Sequence, residues 1–411
     1  MPADLAVLGL GQLGLPAAQA ATAVGIGTVG FVPRPQDAAA LNAGRPPAEG
    51  ALTAAELRRM LAKGFRATSD PAVLGRVRTA LICAPTPPAT DGALDLSAVR
   101  AAASTLATRL RPRTLVVLES TVYPGTTHEV VRPLLERGSG LRAGRDFHLA
   151  HAPGRLDPGS RAFGYPNTPR VIGGLTPACI EAAAAFYGRL TEKVVRARGL
   201  PEAEAAKVLE TNFRHVNIAL VNEMAVLCHE LGIDLWDVVR CAETKPFGFQ
   251  AFRPGPGVGG HGGPVVHPGH RQPMVELARD INARMPRYVV RRAAALLNEH
   301  GKSARGAHLL LLGVTYKPDL PDQERAPAAE IAGRLLGLGA RLTFHDPFVT
   351  AWCIGGRQVP RAESLYESAA AADLTLLLQH HATYDLQGLA AKAQLLLDTC
   401  GATPAGAAHR L

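Results

Sequence analysis

The sequence predicts an α/β protein in which two doubly wound parallel sheets are joined by one long helix. Short apolar runs alternate with helical patterns at both ends of the chain, and this alternation is typical of parallel sheets. Between the two ends, residues 201 to 231 contain no Gly and only one Pro, at the first position, which favours a single uninterrupted helix. The 411-residue chain, with 47% hydrophobic and 19% charged residues, is long enough for two or three domains.

The predicted elements follow in order. The first unit begins with a strand at residues 5 to 8, a glycine turn, a helix at 16 to 24 and a strand at 28 to 32, with further strands at 79 to 84 and 114 to 118. The second unit has strands at 307 to 312, 341 to 344, 373 to 378 and 394 to 397, and a helix at 326 to 336. We therefore expect an N-terminal domain at 1–199, a central helical domain at 200–302 and a C-terminal α/β domain at 303–411.

The glycine turn follows the first predicted strand and opens the first predicted helix. Gly9, Gly11 and Gly14 have the spacing that lets a dinucleotide pyrophosphate approach backbone N–H groups at a helix N-terminus. The turn predicts a Rossmann-like domain that binds NAD or NADP, and a tight strand-to-helix turn without a ligand is the alternative. The fold class is thus two Rossmann-like doubly wound domains joined by a long central helix.

The end of the second strand lacks the acid that NAD sites usually place against the ribose. That position is Val32, and Arg34 follows it. The missing carboxylate removes both a hydrogen-bond acceptor and the repulsion that rejects a 2'-phosphate, so Arg34 is a candidate ligand for the phosphate of NADP. We therefore expect a weakened preference for NAD, and both binding of NADP and loss of tight dinucleotide binding remain open.

Composition excludes several classes of function. The net charge of +9 is spread along the chain, which fits a solvated surface or the steering of an anionic ligand, and the low aromatic content of 5% argues against nucleic-acid binding. Six cysteines lie far apart without metal-ligand spacing, so we expect mostly buried thiols, Cys241 among them, and no metal site. No apolar run approaches the ~18 residues of a membrane span, and we expect a cytoplasmic protein.

Several separated motifs cover nearly the whole chain. They are Ala84-Pro85-Thr86-Pro87, Glu119-Ser120-Thr121 with Pro124-Gly125-Thr126-Thr127, Ala203-Glu204-Ala205-Ala206-Lys207 with Asn222-Glu223, the glycine-rich stretch from Pro254 to Pro264, Tyr316-Lys317-Pro318-Asp319, and Asp346-Pro347. Together they resemble the nucleotide-sugar dehydrogenase family, which includes UDP-glucose, GDP-mannose and UDP-N-acetylmannosamine dehydrogenases. The resemblance implies a nucleotide-sugar-like substrate, a homodimer, and no nucleic-acid or membrane partner.

The resemblance also implies roles for individual residues. Cofactor contacts are expected from Pro85, Thr86 and Thr121, besides the three glycines and Arg34. Substrate contacts are expected from Arg253, Gly257, Gly259, Gly260 and Lys317. Catalytic roles are expected for Lys207, Thr211 and His261, although Lys207 also fits a solvated helix surface and His261 a structural or hydroxyl-binding role.

The departures from the family pattern fall on positions that carry chemistry. The nucleophilic cysteine aligns with Gly262, the catalytic glutamate with Gly154, and an asparagine one turn after Lys207 with Thr211. An aspartate aligns with Val266, or with His267 after a one-residue shift, and an arginine of the C-terminal domain aligns with Glu324. Because glycine has no side chain that forms a thiohemiacetal or thioester, the covalent route from alcohol to carboxylate is not expected at Gly262.

Three hypotheses follow from these departures. The first is an NAD(P)-dependent oxidoreductase that makes one hydride transfer, or a reversible pair of them as in an epimerase, at a CH–OH group of a sugar nucleotide or related sugar, without covalent cysteine catalysis. The second is a catalytically inactive homologue that binds nucleotide or sugar nucleotide. The third is oxidation from alcohol to acid through a hydrate. Retention of the dinucleotide glycines, Thr121 and Lys207 favours the first.

Overall fold

The structure is a computed structural model that describes residues 3–47, 52–88, 93–157, 162–260, 263–265, 267 and 269–411. The chain forms two compact units. The first consists of Met1–Thr211 with Val265–Arg271, and the second consists of Asn212–Pro264 with Gln272–Leu411. Each unit contains a largely parallel sheet with helices, which confirms the predicted fold class.

The sheet of the first unit has eight strands in the order β3-β2-β1-β4-β5-β6-β7-β8. Strands β1 to β6 pair in parallel; the sequence predicted β1, β2, β4 and β5 but neither β3 nor β6. Strand β7 pairs antiparallel with β6, and β8 pairs parallel with β7. The strands are β1 (Leu5–Leu8), β2 (Thr28–Phe31), β3 (Arg66–Thr68), β4 (Thr79–Ile82), β5 (Leu115–Leu118), β6 (His148–His151), β7 (Arg170–Gly174) and β8 (Val194–Arg196).

Helices cover both faces of this sheet. Successive residues of β1 point to opposite faces, so Leu5 and Val7 join one apolar cluster while Ala6 and Leu8 join another. The helical segments are α1 (Gly14–Ala23), α2 (Pro35–Asn42), α3 (Ala54–Ala62), a 3-10 helix (Pro71–Arg76), α4 (Ser97–Ala107), a π-helical turn (Thr127–Val131), α5 (Arg132–Ser139) and α6 (Pro177–Tyr187).

The long central helix is α7 (Leu200–Glu230), 31 residues in length. Pro201 lies in its first turn, where a missing backbone N–H costs nothing, and Gly232 follows its end with a φ of 69°. The first unit ends at Thr211 and the second begins at Asn212, so both units include part of α7.

The second unit has a five-stranded parallel sheet in the order β10-β9-β13-β14-β15 and a separate hairpin of β11 and β12. The strands are β9 (His308–Leu312), β10 (Arg341–His345), β11 (Trp352–Ile354), β12 (Arg357–Val359), β13 (Leu374–Leu377), β14 (Leu396–Asp398) and β15 (His409–Arg410). The helices are α8 (Leu235–Glu243), α9 (Pro273–Glu299), α10 (Pro327–Gly337), α11 (Leu365–Ala371) and α12 (Leu386–Lys392).

The thiols are less buried than expected. All six cysteines are free; Cys83, Cys179 and Cys228 are buried and Cys400 is half-buried, but Cys353 is exposed as well as Cys241, so only half of the thiols are buried as expected. Helix α8 buries Leu235 and Val239, which lie one turn apart, and Cys241 is two positions beyond Val239 on the opposite side. The expectation of a buried Cys241 was therefore wrong. In the described part of the chain, no helix combines the length and the apolar character that a membrane crossing requires.

Candidate dinucleotide and substrate sites

The glycine turn of the first unit is shaped by close backbone approach. Gly9 has a φ of 94°, and a Cβ there would lie 2.9 Å from the carbonyl oxygen of Cys83 at the end of β4. A Cβ on Gly14 would lie 1.8 Å from the Gly9 carbonyl oxygen. Neither position tolerates a side chain, so these glycines bring β1 and the start of α1 together as a dinucleotide-binding turn requires.

The N-terminus of α1 fits a pyrophosphate. No side chain caps its first turn, and that turn, which the structure describes in full, contains no acidic residue. Within this turn the Leu15 N–H donates to the Gly11 carbonyl at 3.1 Å and Pro16 has no N–H, so the positive end of the helix dipole is what favours an anion here. Gly11, between the two packed glycines, is partly exposed at the turn. The residues present therefore fit the diphosphate of a dinucleotide.

The segment after β2 places an ion pair where a ribose carboxylate is usual. Val32 is buried, with 7% exposure, and has no group to offer a ligand. Arg34 is exposed, and its Nε lies 2.8 Å from Oδ2 of Asp37 in the first turn of α2. The cation that the sequence singled out thus already has an anionic neighbour.

Two hydroxyls tie together the segments that follow β4 and β5. Thr86 Oγ1 donates to the carbonyl of Thr121 at 2.7 Å, and Ser120 Oγ donates to the carbonyl of Ala84 at 2.7 Å. Pro85, between these contacts, is exposed. Because Cys83 at the same edge abuts Gly9, the predicted cofactor residues Pro85, Thr86 and Thr121 lie along one edge of the sheet with the glycine turn.

A buried ion pair lies behind this edge. Arg170 Nη2 lies 2.9 Å from Oε2 of Glu119, with the two side chains 0% and 1% exposed. The hydroxyls of Tyr165 and Tyr187 both donate to Glu119 Oε1, at 2.9 and 2.5 Å, and both rings flank the Arg170 guanidinium. Burial and the Glu119 charge raise the pKa of the Cys83 thiol, so the only cysteine among these groups stays protonated. Glu119 was recognised in a motif, but its pairing with Arg170 has no sequence signal.

Gly154 begins the segment that the family resemblance associates with a catalytic glutamate. Its N–H donates to the carbonyl of Glu119 at 3.0 Å, and Arg170 Nη2 donates to the carbonyl of Ala152 at 3.4 Å. A Cβ on Gly154 would lie 2.4 Å from Cδ2 of Leu13, in the glycine turn. Leu13 therefore occupies the space into which a side chain at position 154 would extend.

Glu204 anchors the start of α7 within the first unit. Its buried carboxylate accepts hydrogen bonds from Gly125 N–H at 2.6 Å, Thr127 N–H at 2.8 Å and Thr127 Oγ1 at 2.6 Å. Burial raises the pKa of Glu204, and these hydrogen bonds oppose that rise. Lys207 is half-buried and Thr211 is buried, one and two turns further along the same helix. The anchor thus fixes the helix that carries both predicted catalytic residues.

The glycine-rich loop, residues 254–260 in the described part, packs within the second unit. A Cβ on Gly260, whose φ is 82°, would lie 2.5 Å from the ring of Tyr316, and one on Gly259 would lie 2.7 Å from the carbonyl oxygen of Arg325. A Cβ on Gly257 would lie 3.2 Å from the Pro327 ring. The structure therefore brings the predicted substrate residues Gly257, Gly259 and Gly260 to the segment that contains Tyr316 and Lys317.

The turn after Lys317 is held by a buried histidine. His381 Nδ1 accepts from the N–H of Asp319, whose φ is 58°, at 2.9 Å, and Nε2 lies 3.0 Å from Oδ2 of Asp346. Asp346 also accepts from the N–H groups of Val314 and Phe348, each at 2.8 Å. These contacts follow the ends of β9, β10 and β13, which meet at one edge of the second sheet.

The remaining predicted residues are placed as follows. Arg253 is exposed at the start of the glycine-rich loop. His267 is half-buried and its ring lies 5.2 Å from that of Tyr123, within the first unit. His261, Gly262 and Val266 lie outside the described residues.

The two nucleotide-binding sheets, the dinucleotide turn and the long central helix define a class, the dinucleotide-dependent oxidoreductases of two-sheet architecture. The chain belongs to the UDP-glucose/GDP-mannose dehydrogenase family. Residues 3–191 match its NAD binding domain, residues 201–284 its central domain and residues 310–404 its UDP binding domain. These matches confirm the family resemblance and support NAD as the cofactor.

Individual relatives agree with this assignment. The chain is 33% identical over 356 residues to a UDP-N-acetyl-D-mannosamine dehydrogenase of Pyrococcus horikoshii, covering 84% of each chain. It is 33% identical over 361 residues to a UDP-N-acetyl-D-glucosamine 6-dehydrogenase of Pseudomonas aeruginosa, covering 84% of this chain and 83% of that one. The solved structure of the Pyrococcus horikoshii UDP-D-ManNAc dehydrogenase superimposes with a TM-score of 0.87 at 28% identity, covering 98% of this chain and 97% of that one. The chain is therefore similar to nucleotide-sugar dehydrogenases over nearly its full length.

Proposed function

We propose that this protein is an NAD-dependent oxidoreductase that makes one hydride transfer at a CH–OH group of a nucleotide sugar, without a covalent intermediate on cysteine. The family match supports the oxidoreductase class, and the retained dinucleotide turn supports the cofactor. The alternative is a catalytically inactive homologue that binds nucleotide or sugar nucleotide. The experiment below separates the two.

The observation that carries the proposal is the packing of Leu13 against Gly154. A Cβ at position 154 would meet Leu13 Cδ2 at 2.4 Å and Cδ1 at 3.2 Å, so the Leu13 methyl groups lie beside Gly154, and a side chain at this position would require Leu13 to change rotamer. Oxidation of an aldehyde to an acid needs a base to activate water, and no base is supplied from this position. The loss of a carboxylate here is thus accompanied by a side chain that closes the gap.

The sequence at the glycine-rich motif supports the same conclusion. Position 262, which aligns with the family's nucleophile, is Gly262. Without a thiol, an aldehyde is not captured as a thiohemiacetal, and the second oxidation loses its covalent route. A single oxidation of alcohol to ketone or aldehyde needs neither the thiol nor the carboxylate.

The residues of this chain suffice for the simpler step. NAD, when bound, accepts a hydride from the carbon that bears the hydroxyl. Lys207 on α7 is proposed to donate a hydrogen bond to the hydroxyl oxygen, which stabilises the negative charge that develops there as the hydroxyl proton passes to water, with Thr211 one turn further along orienting the same oxygen. His261 is proposed to contact a sugar hydroxyl, as the Gly-Gly-His motif suggests.

The proposed substrate class is a UDP-sugar. Residues 310–404 match the family's UDP binding domain, and the relatives named above act, by their names, on UDP-N-acetyl sugars. Lys317 would pair with the diphosphate and Arg253 would contribute a further cation. Gly257, Gly259 and Gly260, which pack on other residues of the second unit, would contact the sugar or phosphate through their backbone. We retain 1–199, 200–302 and 303–411 as the cofactor, central and substrate domains of this proposal.

Stoichiometry tests the proposal directly. The purified protein is incubated with NAD and, separately, UDP-N-acetyl-D-mannosamine, UDP-N-acetyl-D-glucosamine, UDP-glucose or GDP-mannose, and absorbance of the reduced cofactor is compared with the product identified by mass spectrometry. One reduced NAD per molecule of ketone or aldehyde supports the proposal. Two per molecule of acid would establish the four-electron reaction instead. Binding of a UDP-sugar without reduction of NAD would leave the inactive homologue.

The partner proposed for α7 is a second copy of this chain. Phe213, Leu220, Leu227 and Leu231 are exposed along α7 and just past its end, and their spacings of seven, seven and four residues place them on one helical stripe. Such a stripe on a helix is typical of a helix-to-helix interface. Light scattering after size exclusion should give a dimer, and Leu220→Glu with Leu227→Glu should give a folded monomer; an unchanged dimer in the double variant would place the interface elsewhere.

A further inference from the structure

A chain of buried amides links the two long helices of the second unit to the glycine-rich loop. Asn222 Oδ1 accepts the N–H of Gly255 at 3.0 Å, and Asn222 Nδ2 donates to Asn282 Oδ1 at 2.9 Å. Asn282 Nδ2 in turn donates to the carbonyl of His215 at 3.1 Å. These hydrogen bonds thus connect His215 of α7 to Asn282 of α9, Asn282 to Asn222 of α7, and Asn222 to Gly255 of the loop.

These contacts leave little freedom for either amide. Asn222 is 0% exposed and Asn282 3% exposed, so their polar atoms depend on protein partners. If the Asn222 amide were rotated by half a turn, its NH2 group would face the N–H of Gly255, and its oxygen would face the oxygen of Asn282. Because Asn282 is itself oriented by the His215 carbonyl, the direction of the Asn222 oxygen is determined from α9.

The oxygen of Asn222 meets the loop just before its tightly packed glycines. Two residues after Gly255, a Cβ on Gly257 would lie 3.4 Å from the Pro286 ring of α9 and 3.2 Å from the Pro327 ring of α10. Gly259 and Gly260 then pack on Tyr316, as described above. Glycine packing tolerates small displacements, whereas a hydrogen bond at 3.0 Å to a buried acceptor sets a definite position for the backbone.

We propose that Asn222, oriented by Asn282, is a positioning residue that holds the glycine-rich loop in its substrate-binding conformation. The expected effect on substrate binding rests on the proposed function, because the proposed function assumes that the loop contacts a UDP-sugar. Asn222 hydrogen-bonds to Gly255 and Asn282, and the proposed function assigns neither residue to the reacting atoms or to the cofactor turn. Its loss therefore acts on UDP-sugar affinity and leaves NAD affinity unchanged.

The test uses Asn222→Ala, Asn222→Asp and a matched control, Asn217→Ala. Asn217 lies on the same helix, but its Nδ2 donates to the carbonyl of Phe213, within α7. Amide hydrogen exchange of the full-length protein is measured for the peptide containing Gly255, together with calorimetric affinities for NAD, UDP and UDP-N-acetyl-D-mannosamine. Where turnover occurs, KM and kcat are measured separately.

Asn222→Ala should accelerate exchange at Gly255 by about tenfold or more, since a buried acceptor is lost. It should also weaken UDP-N-acetyl-D-mannosamine binding or raise KM by about tenfold, with kcat and NAD affinity changed less than about twofold. Asn222→Asp keeps an acceptor oxygen for Gly255 and should recover part of the protection, more so in mild acid, where the protonated carboxyl donates to Asn282. Asn217→Ala should match the wild type.

Gly255 exchange in Asn222→Ala equal to that in Asn217→Ala would overturn the positioning role. A fall in kcat with unchanged KM would overturn it as well. If the wild-type protein binds no UDP-sugar, the proposed function fails, and the exchange measurement still decides whether Asn222 holds the loop. If Asn222→Ala does not fold, the pH dependence of Gly255 exchange in Asn222→Asp decides: protection that increases in mild acid supports orientation through Asn282, and protection independent of pH would overturn it.

Discussion

Two buried histidines, one at the carboxyl edge of each sheet, lie in opposite electrostatic surroundings. His151 ends β6 in the first unit, and neither ring nitrogen has a hydrogen-bond partner among the described residues. His381 follows β13 in the second unit, and both of its ring nitrogens are bonded, one to the N–H of Asp319 and the other to Asp346. Both side chains are 0% exposed.

The difference lies in the neighbouring charge. Burial and the positive charge of Arg170 lower the pKa of His151 to about 3, so it is a neutral and apolar-like filler at neutral pH. His381 instead bridges a carboxylate and a backbone donor, so it orders the turn that carries Lys317. The burial of a titratable side chain therefore does not by itself identify its role. The role follows from the hydrogen-bond partners and charges that surround the side chain.

The buried ion pair of the first unit should give the largest effect. Arg170→Met leaves Glu119 buried without its cation, and we expect the free energy of unfolding to fall by about 3–5 kcal/mol, as measured by chemical denaturation. Glu119→Gln combined with Arg170→Met removes both charges and should be milder than Arg170→Met alone. Equal losses in the single and double variants would show that the tyrosine packing, and not the charge, is decisive.

Replacing each of the two histidines by leucine should change the free energy of unfolding by very different amounts. His381→Leu removes a donor from Asp346 and an acceptor from Asp319, whose φ of 58° is then unsupported, and should cost about 3 kcal/mol. His151→Leu removes no hydrogen bond and should change stability by less than about 1 kcal/mol. Similar losses at both positions would contradict the contrast drawn from their partners.

His151 should also make the native protein sensitive to acid. The unfolded chain protonates His151 near its ordinary pKa of 6.5, whereas the folded protein resists protonation until about pH 3. The unfolded state therefore binds more protons as pH falls below 6.5, and His151 lowers the stability of the native protein by about 2 kcal/mol at about pH 5. His151→Leu should flatten this part of the stability profile.

His215 provides the internal reference for that measurement. Burial and the charge of Arg214 lower its pKa to about 4, so it adds acid sensitivity of the same sign in both wild type and variant. The difference between the two denaturation profiles then reports His151 alone. Parallel profiles would mean that His151 is protonated equally in the folded and unfolded states.

The exposed ion pair at the cofactor site should give the smallest effect. Asp37→Asn frees Arg34 from its neighbour, and because exposed pairs contribute only about 0.2–1 kcal/mol, we expect the ratio of NADP to NAD affinity to rise by only a few-fold. Calorimetric titration with both dinucleotides measures the ratio, and Arg34→Ala should reverse the change. If neither substitution changes the ratio of NADP to NAD affinity, Arg34 does not contact the cofactor.

Much of the first unit was predictable because its signals are local. The strand at Leu5–Leu8, the turn at Gly9 and the helix that follows were predicted from apolar runs and glycine spacing. The reversal at β7 was not predictable, because the Gly-, Pro- and Arg-rich residues before it leave no periodic pattern that indicates strand direction. Cys241 was misplaced because a single thiol carries no signal of the helix face on which it lies.

The sequence by itself determined the family, the two-sheet architecture, the dinucleotide turn and the absence of side chains at positions 154 and 262, since all of these depend on residue identity and short spacing. Only the tertiary structure decided that Leu13 fills the space at Gly154, that Arg170 pairs with Glu119, and that Asn282 orients Asn222 toward Gly255. Leu13 and Gly154 are 141 residues apart in the sequence, and Glu119 and Arg170 are 51 apart. Asn222 is 60 residues from Asn282 and 33 residues from Gly255. Side chains so far apart in the chain meet only when packing brings them together, and no local pattern encodes which of them will touch.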